Sequence, residues 1–245
     1  MLNSEVTKGR HMLLTSETWE TAIRGAWEAL RRRIELERDL EFEHEHTLQF
    51  HLAWEVHRIL GFPPNFNVRF EVRTHAPLPR GVIQTDIVLW TDLQFRIALE
   101  LKAPTKSAPN SPSAMTQGRM AFYKDIDRLF FLVSTPSTKI SRGMFLALAN
   151  ERGYVMLQRQ YKNLGYDTFH GTKVPTGKVV EATEGRNGCP YPLQMPSHPV
   201  AWNWHCESRG GKLYPSGAMK YFWLDPIAVL PRSLESQDII SPATE

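Results

Sequence analysis

The sequence predicts a mixed α/β (α+β) fold: one mixed sheet with helices packed on both faces. Three observations predict it. Two apolar stripes at helical spacing come first, between residues 19 and 60. Three strand-like segments follow in succession, from Phe66 to Lys102. A further helix and a short buried strand then complete an α-β-β-β-α-β order over residues 39–134.

The first helix rests on Trp19, Ile23, Ala26, Trp27, Leu30 and Ile34, which recur at helical spacing. The second runs from about Asp39 to Leu60 on Leu48, Leu52, Val56 and Ile59, and stops at Gly61 and Pro63. Glu45 lies three residues before Leu48, so it extends the core-facing stripe. Phe66 to Arg73 alternates apolar and polar residues, and Val82 to Trp90 is largely apolar. Phe95 to Lys102 is apolar except at Arg96, Glu100 and Lys102, with Thr91–Gln94 as the hairpin loop before it.

A Pro/Ser-rich loop, APTKSAPNSPS, leads to a helix that starts near Ser111–Pro112 and runs to about Arg128. Leu129–Ser134 reads as a buried strand, Ser141–Asn150 as a helix and Tyr154–Gln158 as a strand. Between Arg159 and Arg232 lie eight of the 15 glycines and eight of the 17 prolines, with little periodicity. The expected organisation is a leader or tag over residues 1–12, a core over 13–158, and an irregular extension or subdomain over 159–245.

Length and composition, at 245 residues, 42% hydrophobic and 22% charged, suit one domain with an extension. No apolar run approaches the ~20 residues that span a bilayer, and no apolar signal segment opens the chain. With two cysteines, nothing signals an oxidising compartment. The expectation is a cytoplasmic protein without a membrane partner. A net charge of +3 permits a polyanionic partner without demanding one.

Asp86, Glu100 and Lys102 stand out because they put charge inside segments bound for a core. Burying an unpaired charge costs several kcal/mol or more. Side chains alternate along a strand, so Glu100 and Lys102 share a face. If the hairpin pairs Asp86 near Glu100, two carboxylates adjoin and call for a cation between them. Mg²⁺, with Mn²⁺ as substitute, takes hard oxygen ligands and also binds phosphate oxygens. Lys102 would position an attacking water, and Glu45 would add a ligand or hold a water. The bland alternative is a solvent-facing polar row in ordinary ion pairs.

TD at 85–86 followed by ELK at 100–102 resembles the PD-(D/E)XK nuclease superfamily, whose αβββαβ core has the order read above. Thr85 stands where that motif has Pro. The resemblance covers about 95 residues. It implies a restriction-endonuclease-like fold, with Asp86, Glu100, the Leu101 carbonyl and Glu45 as metal ligands. Asp86, Glu100, Lys102 and Glu45 would be the catalytic set. Gln117, Arg119, Tyr123 and Lys124, on the following helix, become candidates for approaching the phosphate.

The expected function is therefore Mg²⁺-dependent hydrolysis of nucleic acid, with double-stranded DNA as substrate in restriction or defence. A homodimer is expected if both strands are cut. The alternatives are a repair, junction or RNA nuclease of the same fold and a non-catalytic nucleic-acid-binding module.

Weaker signals read more simply. His44, His46, His51 and His57 are scattered around one helix and suit a solvated face. Cys189, His198, His205 and Cys206 lack the paired spacing of zinc modules. AWNWHCESRGGKLYPSGAMKYFW suits either base stacking or a loop-rich core.

Overall fold

The computed structural model describes residues 14–36, 45–91, 95–103, 115–149, 152–155, 166–174, 176–177, 179–180, 191–206 and 221–231. Two helices come first, α1 (Ser16–Leu36) and α2 (Glu45–Ile59). Three strands follow: β1 (Asn67–His75), β2 (Val82–Trp90) and β3 (Arg96–Lys102). Helix α3 (Met115–Ser134) crosses to β4 (Ile140–Ala149), which lies parallel to β3. This crossover makes the sheet mixed, since β1, β2 and β3 run antiparallel to one another. The α-β-β-β-α-β order expected from the sequence is present, in a mixed α/β fold.

The placement of the last two elements differs from expectation. Leu129–Ser134 is the end of α3, not a strand, and Ile140–Ala149 is a strand where a helix was expected. Both errors have one cause. A segment covered on two sides is apolar on both, so the spacing that separates helix from strand disappears. Helix α3 packs against the sheet on one side, while its Tyr123 meets Tyr166 and Trp202 on the other. Strand β4 is central and buried on both faces from Gly143 onward. Gly143 brings α3 close: a Cβ there would stand 3.0 Å from that of Leu129. After β4, a short helix α4 (Arg152–Val155) occupies the start of the expected Tyr154–Gln158 strand.

The later strands are short: β5 (Lys173–Val174), β6 (Val179–Val180), β7 (Leu193–Gln194), β8 (Val200–Ala201), β9 (Trp204–Cys206), β10 (Phe222–Leu224) and β11 (Ile227–Val229). Three of them extend the main sheet, whose order is β1-β2-β3-β4-β10-β9, with β11 also on β4. Strand β10 takes Leu148 and Ala149, and β11 takes Gly143 to Phe145. The region expected as an irregular extension thus contributes to the same sheet.

Two cores flank that sheet. On one face Ile87, Leu89, Ile97, Leu99 and Leu101 meet the stripes of α1 and α2. On the other, Ala98, Phe145 and Ala147 meet Phe122, Ile126 and Leu129 of α3. Burial of this kind contributes roughly 25 cal/mol per Å² of apolar surface. Trp27 ties the ends of the fold: its indole N–H donates to the Leu224 carbonyl at 2.9 Å, and its ring meets Trp223 edge-on. No described helix is long and apolar enough to cross a membrane.

Candidate functional site

The antiparallel ladder of β2 and β3 pairs Ile87 with Leu99. One residue further along that register, Asp86 faces Glu100, the side-by-side arrangement the hairpin argument required. Asp86 Oδ2 also accepts the Leu101 backbone N–H at 2.6 Å, which fixes the carboxyl against β3. Leu101, whose carbonyl was the expected further ligand, therefore lies directly beside the acidic pair.

Glu100 is fully buried, and neither of its carboxyl oxygens has a hydrogen-bond partner. The solvent-facing polar row is thereby excluded for Glu100. Its nearest counter-charge is Arg128 on α3, 3.5 Å away. Arg128 also pairs with the buried Asp125 one turn earlier. Lys102 stands between two acids, with its Nζ 3.1 Å from Asp125 Oδ2 and 3.4 Å from Glu45 Oε1. Glu45 opens α2, whose buried stripe of Leu48, Leu52 and Val56 turns this first residue toward β3.

Glu71 on β1 joins from the far side. It lies between the Phe70–Ile87 and Val72–Thr85 pairs, facing Asp86. Its carboxylate accepts from Gln49 at 3.3 Å and from Gln84, and lies 3.7 Å from His46. Its backbone has φ 52°, in the left-handed region where a Cβ crowds the chain. Such strain costs on the order of 1–3 kcal/mol and persists where surrounding contacts enforce it.

Five carboxyls (Glu45, Glu71, Asp86, Glu100 and Asp125) thus gather around two permanent cations, Lys102 and Arg128. Burial raises the pKa of Asp86 and of Glu45 above the ordinary carboxylate range, against the pull of Lys102 on each. Glu100 is pushed well above it, first by burial, with Arg128 opposing and Asp86 adding to the rise. Buried hard oxygen atoms without hydrogen-bond partners and short of positive charge fit a divalent cation.

The fit is to an open site. Among the described residues, no group of three or more His, Cys, Asp or Glu side chains is arranged to hold a metal ion. Glu45, expected as a ligand, stands 3.4 Å from Lys102 Nζ. Mg²⁺ suits such a place, because it commonly uses one or two carboxylates and completes its shell with water and phosphate oxygens.

The expected phosphate-approaching residues divide. Arg119 is buried, donates to the Gly153 carbonyl and lies over the Phe169 ring at 4.4 Å. Tyr123 is buried and donates to the Asp167 carbonyl at 2.7 Å. Neither joins the acidic cluster; both tie α3 to later segments. Lys124 is half-buried on α3 beside Asp125, and the side chain of Gln117 lies outside the described residues.

Sequence reasoning missed Asp125, Arg128 and Glu71. The signal for the first two was available: FYKDIDRLFFLV carries charge inside an apolar run, as the two strands do. The later weak signals serve the packing where they are described. Trp202, Trp204, Phe222 and Trp223 are buried core residues. His198 bonds the Ala228 carbonyl and His205 bonds Asp225. His44, Cys189, Arg209, Lys212 and Lys220 lie outside the described residues.

No family model matches the chain, and no curated protein matches it. A solved structure titled "Crystal structure of SSO0001" is similar at 14% identity and a TM-score of 0.21. The likeness covers 53% of this chain and 60% of that one, and at that TM-score it carries no argument about fold or activity.

Proposed function

We propose that this chain is a Mg²⁺-dependent nuclease of the PD-(D/E)XK type that hydrolyses phosphodiester bonds in DNA, in restriction or defence. One observation carries the reading. Glu100 is fully buried with both carboxyl oxygens lacking a hydrogen bond, and it faces Asp86 with Lys102 two residues away on the same strand. A core strand that holds such a group without a cation sacrifices stability, and phosphoryl transfer is the chemistry that uses the arrangement. The element order from α2 to β4 supports the same reading.

Asp86 and Glu100 are the residues that would hold the ion, with the Leu101 carbonyl beside them. When bound, a divalent cation supplies charge neutralisation at the phosphoryl group and lowers the pKa of a water. Lys102 is held from two sides by Glu45 and Asp125, so its ammonium is positioned rather than free to sweep. An amine so fixed donates hydrogen bonds to an attacking water and offsets negative charge on the phosphoryl oxygens. Arg128 presents a second cation beside Glu100, restrained by Asp125.

The test is cleavage of supercoiled plasmid, duplex, forked and single-stranded DNA, and RNA, with Mg²⁺ and with chelator. Cleavage by the natural sequence that is lost in Asp86→Asn and Lys102→Ala supports the reading. Intact substrates throughout, or variants that cut as well as the natural sequence, overturn it. A repair or junction nuclease of the same fold is the second reading, favoured by an exposed aromatic stripe on α2.

A further inference from the structure

Helix α2 carries a row at four-residue spacing on its outer face: His46, Phe50, Trp54 and Arg58, all exposed. Residues four apart stack along one side of a helix, each about 6 Å further along the axis. The row therefore reads cation-capable ring, ring, ring, cation. Phe50 and Trp54 keep 60% and 51% of their surface in water, a large exposure for such side chains. Phe62, half-exposed by area, packs edge-on against Trp54 and widens the apolar strip.

The row begins at the acidic cluster. His46 lies 3.7 Å from Glu71, and the neighbouring Glu45 reaches Lys102. Beyond Glu71 runs β1, the edge of the sheet, with Arg73 exposed; Arg69 lies over the Trp90 ring on the face away from α2. The charge of this surface is one-sided. From His46 to Gln84 the only acids are Glu55, which is buried and bonds Arg58 at 2.7 Å, and Glu71, which is turned to Gln49 and Gln84. Every exposed ionisable side chain in that span is arginine or histidine.

A face of open rings set among cations, free of exposed carboxylates, complements an anionic strand with accessible base faces. Duplex DNA hides those faces within its stack. We infer that the outer face of α2 is a stacking platform for unpaired bases, and that it guides a single-stranded segment of nucleic acid toward the Asp86–Glu100 site. The inference rests on the nuclease reading for its destination, but not for the binding itself.

The test separates the two. The full-length chain carrying Asp86→Asn, in chelator, is titrated against a labelled 20-nucleotide oligothymidine and a duplex of equal length, with anisotropy as readout. Tighter binding of the single strand is expected. Phe50→Ala and Trp54→Ala each weaken it by roughly 5- to 150-fold, the worth of one stacked base. Trp54→Phe retains most of the affinity, and Leu78→Ala, an 89% exposed residue at the β1–β2 turn, changes nothing.

Equal binding of both nucleic acids, or unchanged affinity in the two alanine variants, overturns the platform. So does a homodimer that dissociates on Trp54→Ala, since the row would then be a self-interface. Stripe-dependent binding without Mg²⁺-dependent cleavage by the natural sequence rejects the nuclease reading alone. Cleavage indifferent to Phe50 and Trp54 on every substrate rejects the platform alone.

Discussion

Glutamine at position 100 removes a charge while keeping the side chain's shape, and the structure sets the sign of the result. Glu100 is wholly buried, with Arg128 at 3.5 Å and Asp86 facing it across the ladder. At an effective dielectric near 20, attraction at that distance is worth roughly 5 kcal/mol, and repulsion from the adjoining Asp86 carboxylate opposes it with a magnitude of the same order. The pair energies nearly cancel, which leaves the desolvation of the carboxylate, about 1–3 kcal/mol. Glu100→Gln is therefore stabilising by that amount where Glu100 is ionised. For a chain of this length the melting temperature rises by roughly 2–12 °C.

The gain depends on pH. Because the folded-state pKa of Glu100 is raised, the folded protein keeps a proton that the unfolded chain releases. Stability of the metal-free protein falls as pH climbs from the ordinary carboxylate range through that raised value. The variant loses this fall, so it matches the natural sequence near pH 5 and exceeds it at pH 8. Thermal unfolding by circular dichroism in chelator, at both pH values, measures the difference. A variant less stable at pH 8 refutes the reasoning, because the attraction of Arg128 would then outweigh desolvation and the repulsion from Asp86 together.

Two further predictions concern separate parts of the molecule. Asp127 is fully buried, bonds Arg80 at 2.9 Å and accepts the Gln194 N–H at 2.7 Å, so Asp127→Ala removes the carboxylate facing a mostly buried arginine and costs about 3–5 kcal/mol in urea unfolding. Binding of Mg²⁺ is expected to displace protons, because burial raises the pKa values of Asp86 and Glu100; its affinity then falls as pH drops, and calorimetry in buffers of different ionisation enthalpy reads the released protons.

The acidic pair was legible because charge inside an apolar strand is conspicuous, and the hairpin length then set the register. Glu45 was legible because it continued the stripe of Leu48 and Leu52. Asp125 and Arg128 escaped because residue spacing ends the helix at Arg128 and reads Leu129–Ser134 as a strand, so the two charges stand at a helix end, where solvent is the ordinary partner, and not within a continuous buried helix. Arg119 and Tyr123 were misassigned for a related reason. A helix covered on two sides has no face that spacing alone can mark as solvent, and their partners, Gly153 and Asp167, come from later in the chain. The exposed row from His46 to Arg58 was hidden because the helix was read through its histidines, which suit a solvated face equally well. Strands of two or three residues, such as β10 and β11, exist through their pairing with β4 and leave no periodic trace.

The latch between Trp27 and Leu224 joins residues 197 positions apart. On a ribosome, α1 is made long before β10 and waits with part of its apolar side uncovered until Trp223 and Leu224 are out. A nascent fragment ending before β10 would lack both Trp223 and Leu224 and leave Trp27 wet and open to chaperones.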